Sequence, residues 1–93
     1  MHVGTCEIRL RLHQIDSLKA KRGICKSLVA QLRNRFNVSV SEVEHLDSKE
    51  YLGLGIGSVS SSKAVIDQSF MRILEVLSDD RRFEVEDYAQ TYL

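Results

Sequence analysis

The sequence contains no proline, no tryptophan, only two cysteines and no long apolar segment. Because proline is absent, no helix or strand has to break on that ground. No apolar run approaches the roughly 20 residues of a membrane span, and the first residues lack the basic and apolar regions of a signal peptide. We therefore expect a cytoplasmic protein without a membrane partner, with residues 1–93 forming one domain.

Cysteine and histidine are too few and too scattered to indicate a metal site. The sequence has no CxxC and no HxxxH spacing. Cys6 and Cys25 each fall in an apolar pattern, where a free thiol behaves as a small hydrophobic group. A disulfide or a reactive thiol is the alternative. We predict no metal and no cofactor.

The charge is unevenly distributed along the chain, although the formal net charge is zero. Residues 1–36 contain eight basic and two acidic residues, whereas residues 37–93 contain five basic and eleven acidic residues. Within 17–36 there are six basic residues and no acid. A local basic surface of this kind can select an anionic partner that the net charge does not predict.

The spacing of apolar residues predicts six elements in the order βαββαβ. Alternation with a period of two indicates strands, and steps of three and four residues indicate helices. The predicted strands cover 3–13, 38–47, 51–59 and 83–92, and the predicted helices cover 18–36 and 62–78. The alternation slips near Ser41–Glu42, where we expect a bulge or sharp twist, and it changes phase again before Tyr88. We expect Asn37 to close the first helix.

This order predicts an α+β fold, a ferredoxin-like two-layer sandwich. Both helices need to bury their apolar stripes on the one apolar face of an antiparallel sheet. Right-handed crossovers then place the first and third strands at the centre.

The first helix is the candidate binding site. Ser17 is its predicted N-cap, and Lys19, Arg22, Lys26 and Arg33 fall within about 60° of one another on the solvent side. We expect the amine of Lys21 to stay in water beside the core edge. With the free amides of the first turn, these cations form an anion site for phosphate. The candidate phosphate-binding residues are Lys19, Lys21, Arg22, Lys26, Arg33 and Arg35. The alternative interpretation is a solvated face balanced by nearby acids.

The open face of the predicted sheet does not favour base stacking. RNA-recognition-motif domains have the same element order and present aromatic residues on their central strands. Here the outward positions hold Glu7, Arg9, Arg11 and the glycines Gly53, Gly55 and Gly57. The glycines expose backbone to a flat partner, or a large neighbouring side chain such as Arg9 or Arg11 covers them. No catalytic constellation and no acylphosphatase-like phosphate loop is visible, so we do not expect an enzyme.

Several segments together resemble the YlxP-like family of small bacterial proteins of unassigned function. They are the opening Met-x-Val-Gly, SLKxKR at 17–22, LRxRFNVSVxEV at 32–43, His45-x-Asp47, and Leu54-Gly55. The sequence departs from the family at Lys49 and Glu50, where relatives tend to have an aromatic residue and glutamine. The resemblance implies a ferredoxin-like fold. Relatives are often encoded beside translation-initiation and ribosome-maturation genes, including ribosome-binding factor A, which implies RNA or a ribosomal particle as partner.

The leading hypothesis is a non-enzymatic protein that contacts RNA or a ribosomal particle through the basic helix. The alternative is a self-associating interaction module, a homodimer in which the basic helix of one subunit meets the acidic half of another. In that case, the phase-shifted or glycine-bearing strands pair or pack across the twofold axis. A metabolite-binding fold is the third hypothesis.

Overall fold

The computed structural model describes residues 1–93 and has the predicted order of elements. The elements are β1 (His2–Leu12), α1 (Leu18–Arg35), β2 (Ser39–Glu44), β3 (Tyr51–Ser60), α2 (Lys63–Ser78) and β4 (Phe83–Tyr92). The strands form one antiparallel sheet in the order β2-β3-β1-β4, which confirms β1 and β3 as the central strands. α1 lies beside β2, and α2 packs on β3, β1 and β4. The fold is the ferredoxin-like two-layer sandwich that the sequence predicts.

The core lies between the sheet and the two helices. Alternate residues of β1 (Cys6, Ile8, Leu10 and Leu12) point to the helices, and none is more than 6% exposed. The helices contribute the apolar stripes read from the sequence, including Leu28 and Leu32 of α1 and Ile66, Phe70, Ile73 and Leu77 of α2. Each such side chain stabilises the fold by about 1.5–3 kcal/mol relative to an exposed one.

Both predicted phase slips are β-bulges. In β2, Glu42 pairs with Leu54 and Glu44 pairs with Gly53, so Val43 has no partner in the register. In β4 the register shifts opposite Arg9 and Leu10, so that Glu86 is the unpaired residue. The bulge in β4 keeps Val85 and Tyr88 on the helix side, because they pair with Leu10 and Ile8 of the core. The bulge in β2 instead turns Val43 to the open face, where it is 43% exposed.

The ends of the elements differ from the sequence expectation at two places. α1 ends at Arg35, and the capping residue Phe36 is extended, with φ of −131°. Asn37 does not adopt the expected left-handed conformation, since Gln14 and His45 are the only residues with positive φ. β2 ends at Glu44 because His45, with φ of 61°, turns the chain out of the sheet. Neither helix is long and apolar enough to cross a membrane.

Candidate nucleic-acid interface

α1 begins with the predicted cap and carries a row of exposed cations. The Oγ of Ser17 accepts a hydrogen bond from the amide of Ala20 at 3.1 Å. We define the basic stripe as Lys19, Arg22, Lys26 and Arg33. All four are exposed, and none has a carboxylate within 4.0 Å. The stripe extends for about 21 Å along the helix, at 1.5 Å per residue.

Lys21 does not belong to this surface, and the expectation that its amine stays in water is wrong. The side chain is 2% exposed, and its Nζ lies 3.1 Å from Glu42 Oε2. The amine also donates to the carbonyl of Ser48 at 2.7 Å and to the carbonyl of His45. The ammonium therefore makes two hydrogen bonds and one ion pair, since Glu42 Oε2 is close to it without accepting a hydrogen bond. Lys21 therefore fastens the first turn of α1 to β2 and to the β2–β3 loop.

The burial of Lys21 follows from the local backbone. Lys21 lies on the side of α1 that faces the sheet, so its stem covers the edge of the core. The positive φ of His45 turns the β2–β3 loop, and the carbonyls of His45 and Ser48 accept from the amine. The acceptors lie more than twenty residues from Lys21 in sequence. Helical periodicity gives no sign of such distant partners.

The two arginines at the end of α1 occupy different surroundings. A guanidinium nitrogen of Arg33 donates to the carbonyl of Val40 at 3.2 Å, at the outer edge of β2. Arg35 lies on the opposite side of the helix, in a shallow depression that it shares with Glu75, Asp79 and Asp80. Of the six predicted phosphate-binding residues, four form the basic stripe, Lys21 is buried and Arg35 faces away.

A groove of about 360 Å³ runs between α1 and β2 along the basic stripe. Its floor is apolar, and cations stand along its sides. The lining residues are Arg22, Cys25, Lys26, Val29, Ala30, Arg33 and Glu42. Because the carboxylate of Glu42 is bound to Lys21, the three cations of the groove have no paired acid. This arrangement suits an anionic ligand with an apolar part.

The thiol of Cys25 lies in the groove as a free cysteine. Burial and the nearby carboxylate of Glu42 raise its pKa, and the ammonium of Lys21 opposes that rise. The thiol of Cys6, in the core, has its pKa raised to about 12 by burial. Since the thiolate is the nucleophile and metal ligand, neither cysteine is activated.

The glycines of β3 lie on the open face of the sheet, where β2 covers two of them. A Cβ on Gly55 would lie 2.6 Å from Cγ1 of Val43, and a Cβ on Gly53 would lie 3.0–3.2 Å from atoms of Glu44. Gly57 has nothing within 4 Å. The expectation that a neighbouring side chain covers these glycines is met at Gly55, where the side chain is that of Val43 and not that of an arginine, and is not met at Gly57. The bulge in β2 brings Val43 over the sheet.

The arginines of the open face are held by other groups. Arg9 pairs with Glu86 at 3.1 Å, and its guanidinium carbon lies 5.4 Å from the ring centre of Tyr51. Arg11 lies 3.9 Å from a carboxylate oxygen of Glu50. Tyr51 is an outward aromatic residue that the sequence analysis missed, because it lies at the beginning of β3, next to the predicted turn.

The open face of the sheet is acidic, in contrast to the basic stripe on the helix layer. Two arginines are accompanied there by five carboxylates, namely those of Glu7, Glu44, Glu84, Glu86 and Asp87. The uneven charge of the sequence is thus a separation between two sides of the molecule.

Comparison with known proteins agrees with the fold and identifies the family. The structure is similar to a de novo designed protein with a ferredoxin fold, LFR1 1, solved by solution NMR. The TM-score is 0.50 and the identity 16%, covering 99% of this chain and 85% of the designed one. At that identity, the likeness shows the fold alone.

In sequence, the chain is similar to the uncharacterised protein YlxP of Bacillus subtilis (strain 168). The two are 33% identical over 72 residues, which is 77% of this chain and 78% of the relative. The model of the family described as "Protein of unknown function (DUF503)" matches residues 3–90. The resemblance noted in the sequence is therefore confirmed, and this chain belongs to the DUF503 family.

Proposed function

We propose that this protein binds RNA, free or within a ribosomal particle, through the basic stripe and the groove beside it. The observation that carries the proposal is the alignment of Lys19, Arg22, Lys26 and Arg33, exposed and without a carboxylate within 4.0 Å. Phosphates are the anions that occur in a row matching such a stripe. We propose that the protein is located in the cytoplasm, where RNA and ribosomal particles could reach the stripe.

The proposed binding reads the backbone of the RNA and not its bases. The groove has no aromatic residue on which a base could stack. On the open face, the guanidinium of Arg9 lies over the ring of Tyr51, and the neighbouring carboxylates would repel phosphate. Binding should therefore depend little on base sequence and strongly on salt.

The test compares two triple variants with the same net charge. Lys19→Ala/Arg22→Ala/Lys26→Ala removes three cations of the stripe, and Lys63→Ala/Arg72→Ala/Arg81→Ala removes three exposed cations outside α1. Binding to fragments of ribosomal RNA is measured by fluorescence anisotropy at several salt concentrations. For four phosphate contacts with a single strand, log K should fall with log salt with a slope of about −3.

We expect the stripe variant to lose binding and most of the salt slope, and the control variant to bind like the natural protein. Arg33 is left in place because its guanidinium also holds the Val40 carbonyl. Lys21 is left in place because its loss would damage the fold. If both variants bind alike, or if the natural protein does not bind RNA at low salt, the proposed function is wrong.

A second candidate function is a protein-interaction module that binds a copy of itself without nucleic acid. The charge separation favours it, since the basic stripe and the acidic open face lie on opposite layers. Such contacts would join the molecules head to tail and would weaken in salt. Association that disappears in high salt, without affinity for RNA, would support this candidate over the first.

A further inference from the structure

The outer edge of β4 has backbone groups without partners. β4 has β1 as its only neighbour in the sheet. The amide of Leu93 donates to the carbonyl of Val3 at 2.9 Å, so alternate residues towards the N-terminal end of the strand, such as Thr91, also bond to β1. Gln90 and Tyr92 therefore point their N–H and C=O groups away from the sheet. Exposed edges of this kind are templates for another strand.

The other edge of the sheet, formed by β2, is better protected than the β4 edge. β2 has six residues and a bulge, Arg33 binds its Val40 carbonyl at 3.2 Å, and the Ser41 hydroxyl donates to the Glu42 carbonyl at 3.3 Å. β4 has ten residues. Its first half has a bulge at Glu86, and the Tyr88 amide there donates to Asp87 Oδ1 at 2.9 Å. From Ala89 onward the edge has neither a bulge nor the lysine or proline that commonly block an edge. Its charges lie in the first half, and residues 88–92 are uncharged.

The side of α2 that overhangs this edge is also unpartnered. Asp67 marks that side, because its carboxylate accepts from the Gln90 side-chain amide at 2.6 Å and from the Tyr92 hydroxyl. Met71 and Leu74 follow at spacings of four and three residues, so they lie on the same side of the helix. Met71 is 63% exposed. An apolar side chain thus lies above an open strand edge.

We propose that a second copy of this chain pairs with β4 through residues 88–92. The two strands run antiparallel about a twofold axis near Gln90, which makes one eight-stranded sheet with all helices on one side. Glu84, Glu86 and Asp87 of each copy then lie towards the end of the other copy's uncharged segment or beyond it. The carboxylates closest to the axis are those of the two Asp67 residues, and each is held within its own copy by the Gln90 side-chain amide and the Tyr92 hydroxyl. The proposal does not rest on RNA binding.

The spacing of strands explains why the occupant is a whole second copy and not an isolated strand. The β1 strands of the two copies would lie three strand spacings apart, about 14 Å. α2 packs on β3, β1 and β4 and is therefore centred over β1, so the axes of the two α2 helices would lie about as far apart as the two β1 strands. Because a helix with its side chains is about 10–12 Å wide, only long side chains on the facing sides, such as Met71, reach across the remaining gap. A bare strand would leave Met71 exposed, whereas a second copy covers both the strand edge and Met71.

The test measures association by sedimentation velocity over a range of protein concentrations. Met71→Lys places two ammonium groups near the twofold axis and should raise the dimer dissociation constant about tenfold or more. The matched control is Val65→Lys, at a residue that is 50% exposed on the other side of the same helix, and it should leave the constant unchanged. The dimer of the natural protein should persist in high salt, because it rests on backbone and apolar contacts.

Hydrogen exchange locates the interface independently of the variants. The amides of Gln90 and Tyr92 should exchange more slowly as concentration rises, whereas that of Thr91, bonded to β1, should not change. A protein that stays monomeric up to millimolar concentration would overturn the proposal. So would equal effects of the two lysine variants, or a dimer that dissociates in salt without protection of Gln90 and Tyr92. None of these results depends on whether the basic stripe binds RNA.

Discussion

The buried ammonium of Lys21 offers a quantitative test of the structure. Lys21→Met keeps the length of the stem but removes the charge. It leaves the carboxylate of Glu42, 19% exposed, without its partner at 3.1 Å. Removing one member of a buried ion pair costs about 3–5 kcal/mol. Because Glu42 retains some access to water, we expect a loss near the lower end, about 3 kcal/mol.

That loss is large relative to the stability of the whole chain. A fold of this size has a free energy of unfolding of about 5–14 kcal/mol, and each kcal/mol corresponds to about 4–8 °C in melting temperature. Lys21→Met should therefore lower the melting temperature by about 12–24 °C. Urea unfolding followed by circular dichroism gives the free energy directly.

Two further variants separate the ion pair from other effects. Lys19→Met, at an exposed lysine two residues earlier, should change stability by no more than about 0.5 kcal/mol. Lys21→Met/Glu42→Leu removes both charges and should recover part of the loss, since an apolar pair of similar size is tolerated at such sites. A loss below about 1 kcal/mol in Lys21→Met would mean that the amine lies in water, as the sequence suggested.

Two predictions concern the sheet and the α2–β4 turn. Gly55→Ala should destabilise the fold by about 1–3 kcal/mol, because the new methyl meets Val43 at 2.6 Å. Gly57→Ala should be neutral or slightly stabilising, because a methyl there has open space around it. Urea unfolding measures both variants, and equal effects would contradict the position of Val43 that the bulge creates. Hydrogen bonds from Arg82 lower the pKa of Asp80 below 3.8. The Asp80 carboxylate therefore stabilises the fold above pH 3.8, and this stabilisation is lost as the pH falls through the lowered pKa. Asp80→Asn should lack this pH-dependent loss of stability in acid unfolding, and identical acid-unfolding profiles of the variant and the natural protein would contradict the pairing.

The fold was predictable because its signals are local. Each signal lies within one element and has its counterpart in the structure. The signals are the alternation in β1, the apolar stripes of both helices and the two phase slips. The cap at Ser17 is local as well. The end of α1 was less predictable, since the extended Phe36, not Asn37, closes it. Its ring packs against the core, a tertiary contact that the residue's own propensity does not show.

The candidate site was predictable only where helical geometry decides it. The stripe of Lys19, Arg22, Lys26 and Arg33 follows from spacing alone, and all four are exposed. Lys21 was misplaced because its acceptors belong to β2 and the following loop. Spacing along the chain places a side chain on one side of a helix. It does not show whether a carbonyl from a distant part of the chain lies on that side.

The separation of charge between the two layers gives the molecule an electric dipole. A sequence isoelectric point of about 6.8 describes a particle that would hardly migrate in a uniform field near neutral pH. In the electric field near a polyanion, however, the molecule would turn its helix layer towards the negative surface and its open sheet face away. Orientation would then precede contact, and the acidic face would remain turned outward for whatever binds next.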